Sequence, residues 1–250
     1  MQCPKAAIFD LDETLAESFQ APSPHMAAIL SALLDLIPVA IITGAGYERI
    51  RTQVLAQMPR VSSNLYLFPN SSTQCYLYAD GVWRLEYNHL LRDDERAHIK
   101  SAIHECMQEI DIIRDTRSYG EQIVDREAQI AFTIVGLDAP QDIKMSWDTE
   151  GSKRHVIAEA LKSKLQGFDV LIGGASTIDI TRKDVNKSYG VEWLSKRLGF
   201  KPQEMLYIGD ALYEGGNDAV VIPTGIQTLS VTDPNETAKI IEELLTICAL

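Results

Sequence analysis

Short apolar runs that end in a polar residue recur near both ends of the chain and predict buried parallel strands. Three of them are Ala6–Phe9, Val39–Ile42 and Met205–Ile208. Ser23–Pro24 is typical of a helix start, with serine as the N-cap and proline in the first turn, and this helix is predicted to run to about Leu36. Further helices and strands are predicted at Tyr47–Gln57, Tyr189–Leu198, Gly225–Val231 and Pro234–Leu245. This alternation indicates an α/β fold with a doubly wound parallel sheet.

The middle of the chain has a different pattern, in which amphipathic helices alternate with pairs of short strands. Helices are predicted over Arg92–Ile110 and Ser152–Leu165, where apolar residues recur at helical spacing. Strands are predicted within Glu121–Val135 and at Phe168–Ile172 and Ser176–Ile180. The resulting α-β-β-α-β-β order is that of a compact α+β unit.

This change of pattern defines the predicted domains. Short strands that complete the first part of the core are predicted at Leu65–Phe68, Gln74–Tyr78 and Val82–Leu85. We predict a discontinuous core formed by residues 1–87 and 185–250, with an α+β cap inserted at residues 88–184. A chain of 250 residues is long enough for a core and an inserted module of this kind.

Composition and charge narrow the range of partners. The net charge is -12 and the pI about 4.8, and no cluster of Lys or Arg is present, which argues against a nucleic-acid partner. The most apolar stretch, Ala27–Ile42, is interrupted by Asp35 and Pro38, so no membrane span is expected. No signal peptide is expected, and the cysteine spacing matches no zinc pattern, so we predict a cytoplasmic protein with four reduced thiols. The oligomeric state is left open.

Polar residues that directly follow predicted strands are the candidates for chemistry. Asp10, Thr43 and Asp210 each occupy this position. Ligands of open parallel sheets bind beyond the carboxyl ends of the strands, so residues that are distant in sequence can meet there. A polar residue ends many buried strands, but Asp-x-Asp, Thr-Gly and Gly-Asp in this order favour a functional site.

The segment Asp10-Leu11-Asp12-Glu13-Thr14 resembles the first motif of the haloacid-dehalogenase-like (HAD) phosphohydrolases, Asp-x-Asp-x-Thr after an apolar strand. The resemblance implies that Asp10 attacks phosphorus to form an aspartyl-phosphate, and that Asp12 acts as acid and base. Two carboxylates this close also suit Mg²⁺ as the cofactor. By the same resemblance Asp12 binds the metal through its backbone carbonyl, which leaves its carboxyl free for proton transfer. Glu13 replaces the family's commoner glycine and removes no reacting group.

The second and third motifs of this family also have counterparts. Thr43 and Gly44 match the second motif, which implies that they hold the transferring phosphoryl group. Lys187 matches the third motif, with Lys183 as a rival, and would neutralise the charge of Asp10 and of the phosphoryl group.

The fourth motif is matched by Gly209–Asp218, in which Gly-Asp is followed by Gly-Gly-Asn-Asp. Asp210 would bind the metal directly, whereas Asn217 and Asp218 would hold metal-bound waters and Lys187. The spacing with paired glycines is similar to that of the eukaryotic-type phosphomannomutase branch. The order of elements in the cap resembles the branch with a large α+β (type IIB) cap, which also includes sugar-phosphate and sucrose-phosphate phosphatases.

Within the predicted cap, Asp125–Ile130 is similar to a segment that contacts substrate in that branch. Arg126 stands where phosphomannomutases have an arginine for the distal phosphate, and Gln129 is a second candidate contact. A surface charge on a strand is an equally good interpretation of Arg126. A second family arginine is replaced by Leu137, and Ala16–Gln20 lacks the arginine that usually follows the first motif in mutases.

These features predict a magnesium-dependent phosphatase of a small phosphorylated metabolite, such as a sugar phosphate. The alternative is a phosphomannomutase-like sugar phosphomutase, which requires a strong site for a second phosphate and is therefore disfavoured by the missing arginines. A third hypothesis is a binding module that kept the fold without catalysis. It ranks last because Asp10, Asp12 and Asp210 are all present.

Overall fold

The structure is a computed structural model that describes residues 2–249. Over this range the chain divides into two compact units. The first comprises the residues up to Asn88, Lys187–Glu214 and the residues from Asp218 onward. The second comprises His89–Asn186 and Gly215–Asn217. The second unit is therefore formed by one long insertion and one short loop segment.

The first unit is built on a sheet that has seven strands within the described residues. They are β1 (Ala7–Phe9), β2 (Val39–Ile42), β3 (Leu65–Phe68), β4 (Gln74–Ala79), β5 (Val82–Asn88), β10 (Leu206–Gly209) and β11 (Gln227–Ser230). Their order in the sheet is β11-β10-β1-β2-β3-β4-β5. The strands from β11 to β3 are parallel, whereas β4 and β5 add an antiparallel hairpin at one edge.

Helices cover both faces of this sheet, as a buried parallel sheet requires. The helical segments of the unit are α1 (Pro24–Leu33), α2 (Tyr47–Arg49), the single turn α3 (Pro69–Ser72), α8 (Lys187–Leu198) and α9 (Pro234–Cys248). Phe9 of β1 packs in a cluster with Leu30 of α1 and Ile241 of α9, while Ile8 packs on the opposite face with Val191 of α8. The predicted α/β class with a doubly wound, mainly parallel sheet is confirmed.

Helix α1 begins as predicted and ends earlier than predicted. The Ser23 hydroxyl accepts a hydrogen bond from the Met26 N–H at 3.1 Å. Regular helix ends at Leu33 rather than at Leu36, and tighter turns follow it. Pro38 disfavours the helical conformation of Ile37, so the helix has to end before that residue.

The helix predicted over Tyr47–Gln57 also changes form. It is α-helical only as far as Arg49, and Ile50–Leu55 continues as a π-helix. Hydrophobic periodicity does not separate these two forms. Because π-helical turns are rare and occur often at functional sites, the residues at this junction are of interest for the chemistry.

The second unit is an antiparallel sheet with helices packed on its apolar face. Its strands are β6 (Ile123–Asp125), β7 (Ile130–Thr133), β8 (Phe168–Ile172) and β9 (Thr177–Arg182), in the order β6-β7-β9-β8. Its helices are α4 (Asp93–Glu109), α5 (Asp111–Arg114), α6 (Gln141–Ser146) and α7 (Ser152–Lys164). Phe132 and Ile180 pack with Ile103 of α4 and Leu161 of α7. The predicted α-β-β-α-β-β order is present, with α5 and α6 as short additions.

The pairing of cysteines corrects the prediction of four reduced thiols. Cys3 and Cys248 form a disulfide with their Cα atoms 5.1 Å apart, while Cys75 and Cys106 are buried free thiols. The bonded residues are separated by 245 positions, and they meet because the segment before β1 lies beside the end of α9. Sequence spacing carries no information on such a contact.

Over residues 2–249, every helix falls short of what is needed to cross a bilayer.

Candidate active site

The carboxyl ends of three neighbouring strands bring the predicted strand-end residues to one edge of the sheet. Asp10 follows β1, Thr43 follows β2 and Asp210 follows β10. Strand β1 lies between β2 and β10, and all three are parallel. The chain also reverses its direction of winding at β1, which is where ligands bind in open α/β sheets.

Lys187 is the buried cation of this group. It is the first residue of α8, and its side chain has no exposed surface. Its Nζ lies 2.8 Å from Asp10 Oδ1 and 2.7 Å from Asp218 Oδ1. Burial disfavours the ammonium, but the two carboxylates outweigh it and raise the pKa of Lys187 above its ordinary value. Lys183, the rival candidate, instead pairs with Asp169 in the second unit.

Asp218 holds Lys187 in place and is itself held by other donors. Its Oδ1 also accepts a hydrogen bond from the Tyr207 hydroxyl at 2.5 Å, and its Oδ2 accepts one from the Ala211 N–H at 3.0 Å. The close approach requires glycine at position 209, because a Cβ there would lie 2.3 Å from Asp218 Oδ2. With both oxygens engaged by protein donors, Asp218 is better suited to orienting Lys187 than to binding a metal directly.

Asp10, Asp210 and Asp218 form an acidic group that suits a divalent cation. One carboxylate oxygen from each residue lies within 4.8 Å of the others. Burial raises the pKa of Asp10 well above its ordinary value, although the positive charge of Lys187 opposes this shift. The pKa of Asp210 is raised to about 6, mainly by burial and secondly by the negative charge of Asp218. Both shifts arise mainly from burial, and the three carboxylates outnumber the one buried cation, Lys187, that contacts two of them. Hard oxygen ligands with this excess of negative charge fit Mg²⁺, with Asp10 and Asp210 as the carboxylates that retain acceptor capacity.

Asp12 lies outside this acidic group, and its carboxyl is paired rather than free. Arg49 Nη1 lies 2.8 Å from Asp12 Oδ2, and Arg49 Nη2 lies 2.6 Å from Asp12 Oδ1. The Phe19 N–H also donates to Oδ1 at 3.1 Å. The expectation of a free carboxyl did not anticipate this bidentate partner, which lies in α2, beyond both α1 and β2.

Thr43 and Gly44 lie in a loop that a left-handed turn supports. The Thr43 hydroxyl is buried and accepts a hydrogen bond from the Ala45 N–H at 3.0 Å. The Ser71 N–H donates to the Thr43 carbonyl at 2.8 Å. Three consecutive residues of this turn, Asn70–Ser72, have positive φ angles of 50°, 55° and 70°. Strain of this kind in non-glycine residues is often found beside functional sites.

The remaining predicted contacts lie in the segments assigned to the second unit. Arg126 and Gln129 flank the turn between β6 and β7, where the Arg126 N–H donates to the Gln129 carbonyl at 2.9 Å. The Gln129 side chain is fully buried, and its amide atoms make no hydrogen bond with the described residues. Leu137 is 47% exposed. Asn217 is half-buried in the short segment that directly precedes Asp218.

The comparison with known families decides the identity of the chain. The sequence model for eukaryotic phosphomannomutase matches residues 26–247. The chain belongs to the eukaryotic phosphomannomutase family. The matched range includes Thr43, Lys187 and the fourth motif. Asp10 and Asp12 lie before it, so their assignment depends on the geometry at the end of β1.

Relatives and solved structures agree with this placement. The phosphomannomutase of Spinacia oleracea is 24% identical over 240 residues, covering 93% of this chain and 92% of the relative. The IMP-bound, N-terminally truncated IMP-nucleotidase of Plasmodium falciparum has a TM-score of 0.72 at 18% identity, covering 97% of this chain and 68% of that one.

A haloacid-dehalogenase-like hydrolase from Bacteroides thetaiotaomicron has a TM-score of 0.62 at 15% identity, covering 96% of this chain and 99% of that one. At these identities the structural likeness shows the fold, which is that of the HAD-like hydrolases. The chain thus combines membership of the eukaryotic phosphomannomutase family with the fold of the HAD-like hydrolases.

Sequence reasoning missed two residues of this phosphomannomutase-family site. Tyr207 occupies an ordinary apolar position of β10, and no sequence signal distinguishes it from the neighbouring core residues. Arg49 lies at the start of a helical segment, where a charged residue is usually exposed to solvent. Only the geometry shows that Tyr207 supports Asp218 and that Arg49 binds Asp12.

Proposed function

We propose that the protein is a magnesium-dependent phosphatase of a small phosphorylated metabolite, with sugar phosphates as the leading class, and that it works through an aspartyl-phosphate on Asp10. The observation that carries this proposal is the buried Asp10 carboxylate at the end of β1. It lies 2.8 Å from the Lys187 ammonium and within a group of three carboxylates. This arrangement supports a nucleophile whose charge is balanced as phosphorus approaches.

In the first step, a carboxylate oxygen of Asp10 forms a bond to phosphorus while the bond from phosphorus to the leaving oxygen breaks. Asp12 donates a proton to that leaving oxygen. Lys187 neutralises part of the charge on the phosphoryl group, and Thr43 and Gly44 orient its remaining oxygens. Alcohol leaves, and the phosphoryl group stays on Asp10.

In the second step, the Asp12 carboxylate takes a proton from water as the water oxygen bonds to phosphorus. The bond between phosphorus and Asp10 breaks, which releases inorganic phosphate and restores both carboxyl groups to their starting forms. The groups that would hold Mg²⁺ are the carboxylates of Asp10 and Asp210 and the backbone carbonyl of Asp12. Asn217 would bind the ion through a water molecule, and Asp218 would act indirectly, by holding Lys187. When bound, the ion neutralises charge on the phosphoryl oxygens.

A phosphomannomutase-like phosphomutase is the second candidate, and the match to that family favours it. A mutase has to hold a sugar bisphosphate in two orientations, which requires cationic groups for the second phosphate. The exposed Leu137 stands where the family has an arginine. The segment Ala16–Gln20 contains no arginine, whereas mutases usually have one after the first motif. These replacements support the phosphatase over the mutase.

A panel of phosphorylated metabolites, assayed with and without Mg²⁺, tests the proposal. Each compound is followed for release of inorganic phosphate and, with a sugar bisphosphate added, for isomerisation. We expect Mg²⁺-dependent phosphate release from one or a few sugar phosphates. Efficient isomerisation with negligible net hydrolysis would establish the mutase instead.

Arg126→Ala is expected to lower kcat/KM for the natural substrate at least about tenfold more than for p-nitrophenyl phosphate. In the proposal, Arg126 contacts the remote polar or anionic group of the substrate, and p-nitrophenyl phosphate has no such group. Steady-state kinetics on both substrates measure the difference. Arg114→Ala, which removes an exposed arginine paired with Asp111, is the control. Equal losses on both substrates would show that Arg126 does not select the substrate.

Gln129→Met is expected to stabilise the protein and weaken substrate binding at the same time. The buried amide of Gln129 makes no hydrogen bond with the described residues, and removing such a group is expected to raise the free energy of unfolding by about 1 kcal/mol. If substrate provides the missing partner, KM rises. Denaturant unfolding and kinetics measure the two effects, with the exposed Gln108→Met as control. An unchanged KM would rule out a binding role for Gln129.

A further inference from the structure

Arg49 makes a set of directed contacts that the proposed chemistry has not used. Its two terminal nitrogens bind both oxygens of Asp12, at 2.8 and 2.6 Å. Its Nε donates to Gln53 Oε1 at 2.9 Å, and its guanidinium carbon lies 5.3 Å from the centre of the Phe19 ring. The guanidinium is thus held by three different residues, and only 20% of the side chain is exposed.

The segment that follows Asp12 is hydrogen-bonded to Asp12 and to Gln53. The Phe19 N–H donates to Asp12 Oδ1 at 3.1 Å, and the Gln53 side-chain amide donates to the Phe19 carbonyl at 3.4 Å. Glu13 Oε1 accepts a hydrogen bond from the Ser18 N–H at 2.9 Å, which closes the turn between them. These contacts order both the Asp12 carboxylate and the guanidinium that binds it.

The position of the pair distinguishes it from an ordinary surface ion pair. Exposed ion pairs contribute little to stability, because water screens them and two long side chains must be ordered. Here the carboxylate belongs to the loop that carries Asp10, and the π-helix begins at Ile50, directly after Arg49. A bidentate arginine also fixes the plane of a carboxylate, which a single cation does not.

We propose that Arg49 is a positioning residue that fixes the orientation of the Asp12 carboxyl and acts on the reaction through it. The inference rests on the proposed function, in which Asp12 donates its proton to the leaving oxygen as the P–O bond breaks. The guanidinium of Arg49 then binds the resulting Asp12 carboxylate and keeps it in a fixed orientation. The same carboxylate then takes the proton of the water that attacks the aspartyl-phosphate.

Two aryl phosphates that differ in the basicity of their leaving group test this role. The p-nitrophenolate group leaves readily without a proton, whereas the more basic phenolate of phenyl phosphate depends on the acid. We expect Arg49→Met to lower kcat/KM, which reports the transfer to Asp10, about tenfold more on phenyl phosphate than on p-nitrophenyl phosphate, since general-acid catalysis is worth about 10²–10⁴-fold in total. Arg49→Lys should recover part of the loss. Arg51→Met, which removes an exposed arginine paired with Glu48, is the control.

The same comparison in an Asp12→Ala background separates positioning from general damage. If Arg49 acts through Asp12, Arg49→Met should not change the ratio of the two kcat/KM values further in that background. Equal losses on both substrates, or a further change of the ratio without Asp12, would overturn the role of Arg49 alone. If the kcat/KM of Asp12→Ala shows no preference between the substrates, the acid role of Asp12 fails, and the inference fails with it. Should Arg49→Met not fold, Arg49→Gln is used in the same comparison.

Discussion

Asp10→Asn is expected to abolish phosphoryl transfer, with a loss on the order of 10³-fold or more, while the fold remains intact. The asparagine side chain has nearly the shape of aspartate, but its amide cannot attack phosphorus. The fold should survive because Lys187 keeps its second carboxylate partner, Asp218, at 2.7 Å. Release of p-nitrophenol measures the activity, and thermal unfolding measures the integrity of the fold.

Asp80→Asn is the matched control for this substitution. Asp80 is exposed, pairs with Arg84 and has a φ of 53°, a conformation that asparagine tolerates well. This variant should keep full activity. If Asp10→Asn retained even a tenth of the wild-type activity in a preparation free of deamidated protein, Asp10 would not be the nucleophile.

Removal of the divalent cation should have a comparably large effect. We expect excess chelator to eliminate turnover and added Mg²⁺ to restore it. The pKa of Asp210 is raised to about 6, first by burial and then by the negative charge of the neighbouring Asp218. A divalent cation would relieve this repulsion, so Mg²⁺ should also raise the Tm of the substrate-free protein.

Asp210→Asn shows whether this effect comes from the acidic group. The variant should lose both the activation by Mg²⁺ and the increase in Tm, whereas Asp80→Asn should keep both. Differential scanning fluorimetry over a Mg²⁺ titration and the phosphatase assay provide the two measurements. Full activity in excess chelator would refute a metal-dependent mechanism.

The parts of the fold that the sequence predicts well are those set by local patterns. The apolar runs before Asp10, Thr43 and Asp210 identify β1, β2 and β10, because a buried parallel strand needs apolar residues on both faces. The order of strands and helices then indicates a parallel sheet, and the sheet brings the strand ends together. Residues directly after these strands could therefore be selected as candidates without coordinates.

The parts that the sequence does not reveal depend on contacts between distant side chains. The partner of Asp12 is Arg49, that of Tyr207 is Asp218 and that of Cys3 is Cys248, and none of these pairs has a characteristic spacing. The left-handed backbone of the turn at Asn70–Ser72 is a further feature that the sequence does not reveal. Serine does not favour positive φ, so only the surrounding hydrogen bonds account for that conformation.

Trapping the phosphoryl group on the protein tests the central claim most directly. Asp12→Ala should still form the aspartyl-phosphate from p-nitrophenyl phosphate, but it lacks the base that activates water, so the intermediate should accumulate. The variant is mixed with the substrate and Mg²⁺, quenched in acid, digested and analysed by mass spectrometry. The proposed mechanism predicts the mass of one phosphoryl group on the peptide that contains Asp10, and no such peptide from the Asp10→Asn protein. A phosphoryl group on another residue would contradict it.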